Sequence, residues 1–263
     1  MTSHRGRPTA RDTQDQYARQ ARNYADSSLH RRGESLDAVR RLAAATAGDT
    51  VLDLGTGTGF TAFAMAADAA RVIAADLTPE MLAQARRLAG EMELDNSPEW
   101  TMAASEHLPF RDSSLSLITC RYASHHFHDL LGSLCELARV LAPAGRVVIC
   151  DVVAPEARGM VELMNDLEQI RDPTHVWDHP LSQWRKELLP AAGLEVRDVV
   201  PGKNPQLFSE WVHRAGTPRP AVERLVEMFA AASEEARRAF EVRRQGDEIF
   251  FSWPNATILA TGR

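Results

Sequence analysis

The stretch VLDLGTGTGF, Val51 to Phe60, sets an apolar run against glycines at every second position, Gly55, Gly57 and Gly59. Apolar residues ahead of a glycine cluster read as a buried strand entering a tight turn, and the alanine-rich run beyond reads as a helix. Turns of this kind hold ligands of several chemistries, and the residues present separate them. A phosphate-cradling loop requires Gly-Lys-Ser/Thr, and no lysine follows here. The dinucleotide fingerprint G-x-G-x-x-G needs its third glycine at position 60, where Phe60 stands. A ring at that point crowds the close helix–strand packing the glycine permits. What remains is D-x-G-x-G-x-G, with the acid Asp53 inside the strand.

Outward from this turn the chain alternates. Helical stretches are expected at Thr13 to Ala25 and Gly33 to Ala45, before the strand, and at Phe60 to Ala69, after it. RVIAAD reads as a second strand ending on Asp76, where a carboxylate can accept both hydroxyls of a ribose; NAD enzymes place an acid similarly. Thr78 and Pro79 supply a cap and a first-turn proline for a helix carrying Met81, Leu82, Ala85, Leu88 and Met92 at helical spacing. Further strands are predicted near Trp100 to Ala103, at Leu115 to Cys120 and at Gly145 to Asp151, with a helix from Asp129 to Leu141. This alternation implies a parallel, doubly wound sheet. After Asp151 it breaks: Glu156 to Arg171 and Leu181 to Ala192 read as helices, LEVRDVV as a sixth strand, and Gln206 to Arg244 as mostly helical. The closing IFFSWPNATILATGR reads as an antiparallel edge strand. Residues 1–12 are expected to be disordered and 13–263 to form one domain, with helical insertions at about 156–192 and 206–244.

The 263 residues, 44% hydrophobic and 25% charged, suit one α/β domain with additions. A net charge of −6 argues against a non-specific nucleic-acid binder, whose phosphate contacts need a basic surface. No apolar run approaches the roughly 20 residues of a membrane span, and the polar N-terminus lacks a signal-peptide core, so a cytoplasmic location is expected. Cys120, Cys135 and Cys150 form no C-x-x-C pair and read as reduced thiols on buried elements.

The D-x-G-x-G-x-G spacing resembles motif I of the class I S-adenosylmethionine-dependent methyltransferases. The likeness continues in order through GDTVLDLGTGTGFTAFAMA, VIAADLTPEMLAQAR, EHLPFRDSSLSLITCRYASHHF, ELARVLAPAGRVVICD and NDLEQIRDPTHV, over about residues 14 to 200. These blocks resemble the small-molecule group that includes the ubiquinone/menaquinone C-methyltransferases. The resemblance implies a Rossmann-like, doubly wound seven-stranded sheet of order 3-2-1-4-5-7-6, strand seven antiparallel, and S-adenosyl-L-methionine as cofactor. That cofactor carries an amino group and a sulfonium instead of a pyrophosphate, and an acid such as Asp53 beside a glycine-thinned backbone suits both. By the same resemblance Gly55, Thr56 and Gly57 line the methionine moiety, Asp76 holds the ribose, and Leu77 and Met81 flank the adenine. Tyr24 closes over the cofactor, and Arg121 sits beneath it facing the acceptor. One position departs from the pattern: Ala104 stands where the family has an aspartate for the adenine amino group. That contact falls either to the backbone of Ala104 and Ser105 or to Glu106.

Methyl transfer from a sulfonium needs in-line placement and a dry pocket; a base is required only where the acceptor loses a proton. His125, His126 and His128 follow strand four at the carboxyl edge where ligands bind in such sheets. His125 and His126 match the family's HHF, while His128 is particular to this chain. RDPTHVWDHP, Arg171 to Pro180, reads as a lid loop bringing Arg171 and His175 to the substrate, with Trp177 and Trp184 as pocket walls or core. A metal site joining these histidines to His179 is disfavoured, because no helical ligand spacing supports it. The candidate catalytic residues are thus His125, His126, Arg171 and His175, around a mostly apolar acceptor site roofed by the insert after Asp151. The expected activity is methyl transfer to a small-molecule acceptor, with no nucleic-acid partner. The alternative is the same fold cyclising S-adenosylmethionine itself to azetidine-2-carboxylate, releasing methylthioadenosine.

Overall fold

A computed structural model of the protein describes residues 8–27 and 31–263. Of the stretch expected to be disordered, residues 1–7 lie outside the described residues. Ala10 to Asp12 are helical instead, because Thr9 and Asp12 form a reciprocal capping box at the start of helix α1 (Ala10–Ala25). A second helix, α2 (Glu34–Ala43), precedes the sheet.

Strand β1 (Thr50–Leu54) is buried from Val51 onward, as an interior parallel strand covered on both faces must be. It leads into α3 (Phe60–Ala66), β2 (Arg71–Asp76), α4 (Pro79–Glu91), β3 (Glu99–Met102) and β4 (Leu115–Arg121). Thr78 precedes α4 without a side-chain capping bond, so Pro79 alone supplies the start signal expected there. Helix α5 (Leu130–Val140) and strand β5 (Leu141–Val152) follow; Asp129 caps α5 by accepting from the Gly132 amide.

The sheet order is β3-β2-β1-β4-β5-β8-β6. Here β6 is Leu194–Leu207 and β8 is Glu248–Gly262, antiparallel to both β5 and β6. With β8 in the seventh place, this is the order 3-2-1-4-5-7-6. A short β7 (Arg243–Gln245) adds a hairpin to the start of β8. Two strand expectations need correction. The closing segment lies inside the sheet, not at its edge, and its buried residues Phe251, Trp253, Ala256, Ile258 and Ala260 reflect cover on both sides. The sixth strand runs well past LEVRDVV, because β8 pairs with it as far as Leu207.

Between β5 and β6 lie α6 (Arg158–Arg171) and a broken helix: α7 (Leu181–Gln183), a π-helical turn (Trp184–Leu188) and α8 (Leu189–Ala191). Helices α9 (Phe208–Ala215), α10 (Arg219–Ala230) and α11 (Glu234–Ala239) connect β6 to β7. These additions have their own apolar cluster, in which Met164 and Leu167 of α6 pack with Trp211, Leu225, Phe229, Phe240, Phe251 and Trp253. The cluster includes Val152 and Ala154, so the cap is seated on the carboxyl end of β5. Trp184 belongs to the sheet core and lines neither of the two cavities described below. Cys120 and Cys150 are buried, whereas Cys135 is exposed, contrary to the expectation for all three. Among the described residues no helix is long and apolar enough to cross a membrane.

Candidate active site

The turn after β1 is shaped by close approach. Gly55 has φ +65°, and a Cβ there would lie 2.4 Å from the Cβ of Ala123, in the loop after β4. The first and fourth strand ends can meet only because position 55 lacks a side chain. From β2, the Asp76 carboxylate accepts from the Gly57 amide through Oδ2 (2.7 Å) and from the Thr78 amide through Oδ1 (2.9 Å). One acid therefore fixes the glycine turn and the entry to α4 together. Burial pushes its pKa up, opposed by those amides.

These loops border a cleft of about 980 Å³ at the carboxyl ends of β1, β2 and β4. Of the residues expected to bind cofactor, Tyr24, Gly55, Thr56, Gly57, Asp76, Leu77, Met81, Ala104, Ser105, Glu106 and Arg121 all line it. Asp53 does not. It is 1% exposed and lies behind the turn, accepting from Thr56 Oγ1 (2.6 Å) and from Thr119 Oγ1 of β4 (2.7 Å). Burial raises its pKa to about 6 against those hydroxyls. The acid braces Thr56 and ties β1 to β4; it does not reach the cleft. Arg121, the last residue of β4, donates to Thr61 of α3 (2.9 Å) and Ser35 of α2 (3.2 Å). In the wall formed by the segment after β3, Ser133 donates to Ser105 Oγ (2.9 Å), and Glu106 accepts from the Asp129 amide (3.4 Å).

The four candidate catalytic residues separate. Only His126 lines the cleft. Its Nδ1 bonds the Thr174 carbonyl (3.0 Å), so Nδ1 carries the proton and Nε2 accepts from the Tyr17 hydroxyl (2.5 Å). Burial, then the His125 cation beside it, lowers His126 to about 4, which keeps it neutral. His125 donates from Nδ1 to Asp151 at the end of β5 (2.6 Å). Burial disfavours its charge, but the carboxylate more than offsets this and raises it to about 9. Asp151 also accepts from Ser124 Oγ and the Val152 amide (2.8 Å).

His125 and Arg171 face a second cavity, of about 470 Å³. Tyr17, Tyr24 and Tyr122 border both spaces and stand between them. Arg171 does not swing on a lid: it is buried, donating to Glu168 Oε2 and to the Trp211 carbonyl (3.0 Å each), with its guanidinium over the Trp211 ring. His175 lines neither space. At 2% exposure it bonds Asn165 Oδ1 through Nε2 (2.9 Å), and burial drives its pKa well down. It holds the loop after α6 to that helix. Thr13, Tyr17 and His128 were not among the expected site residues, yet all line the cleft, with Thr13 Oγ1 3.2 Å from His128 Nε2. Tyr17 stands seven residues before Tyr24, two turns along one face of α1, and that spacing is its sequence signal.

A sheet of this order, with a glycine turn after β1 and an acid closing β2 on one cleft, has the architecture of a methyltransferase. Comparison with known proteins agrees. The family described as "Methyltransferase domain" matches residues 52–149. An uncharacterized methyltransferase of Bacillus subtilis, YcgJ, is 35% identical over 237 residues, 89% of this chain and 93% of that one. Its crystal structure superposes with a TM-score of 0.82 at 34% identity, covering 87% of this chain and 98% of the other. A putative methyltransferase from Bacillus halodurans gives 0.81 at 28% identity, with coverage of 87% and 98%. The demethylmenaquinone methyltransferase of Clavibacter sepedonicus is 40% identical over 119 residues, 45% of this chain and 47% of that protein. The chain belongs to the methyltransferase family.

Proposed function

We propose that the protein is an S-adenosylmethionine-dependent methyltransferase acting on a small molecule. The observation that carries this reading is Asp76: its oxygens each take one backbone amide beside the glycine turn, while the side chain still lines the cleft. A carboxylate so held has lone pairs left for two ribose hydroxyls. Tyr17 and Tyr24 put aromatic rings in the cleft wall, a lining that favours a cationic sulfur. When bound, S-adenosylmethionine supplies an electrophilic methyl group.

The chain's own residues then orient the reactants. Leu77 and Met81 form the apolar wall beside Asp76, and Ser105 and Glu106 the polar wall opposite. Tyr17 stands between the cleft and the second cavity, with His126 Nε2 accepting its proton. Burial keeps the Tyr17 hydroxyl protonated and His126 neutral, so this pair positions the acceptor and takes up no proton from it. The second cavity gives a separate acceptor a place, which cyclisation of the cofactor on itself does not need. Purified protein incubated with S-adenosylmethionine, with and without a small-molecule extract, tests the reading by product mass. Acceptor-dependent S-adenosylhomocysteine is expected; multiple-turnover methylthioadenosine without acceptor overturns it.

A further inference from the structure

The cavity behind the tyrosines was expected to be mostly apolar, and it is not. Its wall carries Glu168, Arg171, Asp178, Asn204, Gln206 and Arg214, drawn from the cap helices, the loop after α6 and the far end of β6. Polar groups buried at this density need partners, and most have them within the protein. Glu168 accepts from Arg171, from Trp211 Nε1 (3.2 Å) and from Trp253 Nε1 (2.5 Å). His125 and Asp151 satisfy each other.

Arg214 is the exception. It is 8% exposed, and among the described residues no carboxylate forms an ion pair with it. One terminal nitrogen donates to Gln206 Oε1 (2.7 Å), while Nε has no partner among the described residues. Burial and the neighbouring Arg171 cation pull its pKa down, and the Glu168 and Glu210 carboxylates, neither in ion-pair contact with it, only partly oppose them. Asp178 does not answer it: burial holds that carboxyl well above the usual range, and its Oδ1 is also without a partner. A buried, unpaired guanidinium is costly unless an anion completes it, and its planar fork matches a carboxylate.

We infer that the second cavity binds the methyl acceptor and that the acceptor is a small organic acid, its carboxylate paired with Arg214 and a polar group at Asp178. This rests on the methyl-donor reading of the first cleft. An isoprenoid quinone would lay its hydrocarbon tail against these charged groups, so the class differs from that suggested by the resemblance to quinone methyltransferases. Arg214 is then a specificity-determining residue, reached from the donor side past Tyr17 and Tyr24 of α1.

Protein saturated with S-adenosylhomocysteine, and protein without it, is titrated with acetate, benzoate and succinate and with the three corresponding amides. Fluorescence of Trp211 and Trp253, which line the cavity, reports binding. At least one acid is expected to bind at least about tenfold more tightly than its amide, the scale of one charge-assisted bond. Arg214→Gln is expected to abolish that preference while leaving S-adenosylhomocysteine affinity unchanged. The wild-type contrast of acid with amide needs no variant to fold. No acid preferred over its amide, or a folded Arg214→Gln that keeps the preference, overturns the inference. Failure of S-adenosylhomocysteine to bind, with the acid preference intact, instead sinks the methyl-donor reading and leaves the anion site standing.

Discussion

Replacing Gly55 by alanine tests how the cleft is built. The residue has φ +65°, and the added Cβ would meet the Cβ of Ala123 at 2.4 Å. A left-handed backbone costs an alanine roughly 1–2 kcal/mol. Carbon atoms pack best at about 3.5–4.0 Å, so the two loops must part by about 1 Å, a strain of the overpacking kind worth about 1–3 kcal/mol. The loss is therefore about 2–5 kcal/mol, measured by urea denaturation with tryptophan fluorescence. The two parts can be separated. Ala123→Gly in the Gly55→Ala background removes the opposing methyl and should restore about 1–3 kcal/mol, relative to Ala123→Gly alone, while the backbone share stays lost. A Gly55→Ala protein within about 0.5 kcal/mol of wild type, or no recovery in the double variant, would refute the close-approach argument.

Asp76→Ala should weaken S-adenosylhomocysteine binding by about 10- to 150-fold, from charged hydrogen bonds worth about 1.5–3 kcal/mol; an unchanged dissociation constant in a folded variant would remove Asp76 from the ribose. Tyr17→Phe leaves the buried Nε2 of His126 without its donor, so stability should fall by about 1–3 kcal/mol in denaturant titration, and no change would contradict that bond. His125 titrates at about 9 in the fold, above its ordinary 6.5, so its stabilisation is complete below pH 6.5 and is lost as the pH rises through about 9. At about 1.4 kcal/mol per pKa unit the decline between those limits is about 3 kcal/mol, and His125→Gln should flatten it; an equal slope in the variant assigns the loss to another group.

The first five strands were legible as short apolar runs alternating with helices, but their order β3-β2-β1-β4-β5 came from the resemblance to the methyltransferases, since β3 and β4, consecutive in sequence, lie on opposite sides of β1. The cleft was legible through the same resemblance. Gly55, Asp76 and Arg121 end adjacent strands, so local pattern and position in the sheet fix them together. Asp53 shows the limit: its place next to the glycines suggested contact with ligand, but its side chain points along the sheet to Thr119 of β4. Whether β8 is interior or edge depends on its partners, and the residues of IFFSWPNATILATGR do not name them. Of the second cavity, His125 and Arg171 had been expected at an acceptor site, but its polar lining was hidden. Glu168, Asp178, Gln206 and Arg214 come from four separate segments, brought together by the long β6–β8 pairing and the cap. His175 and Arg171 were singled out as lid residues because the loop reads as exposed, yet both are buried by the packing of α6 against that loop and α9.

A methyl-donor site at the glycine turn takes S-adenosylmethionine and not a dinucleotide. Calorimetric titration of the purified protein with S-adenosylhomocysteine and, separately, with NAD tests it most directly. Saturable one-site binding of S-adenosylhomocysteine with no heat from NAD is predicted. Saturable binding of NAD with no response to S-adenosylhomocysteine would make the cleft a dinucleotide site.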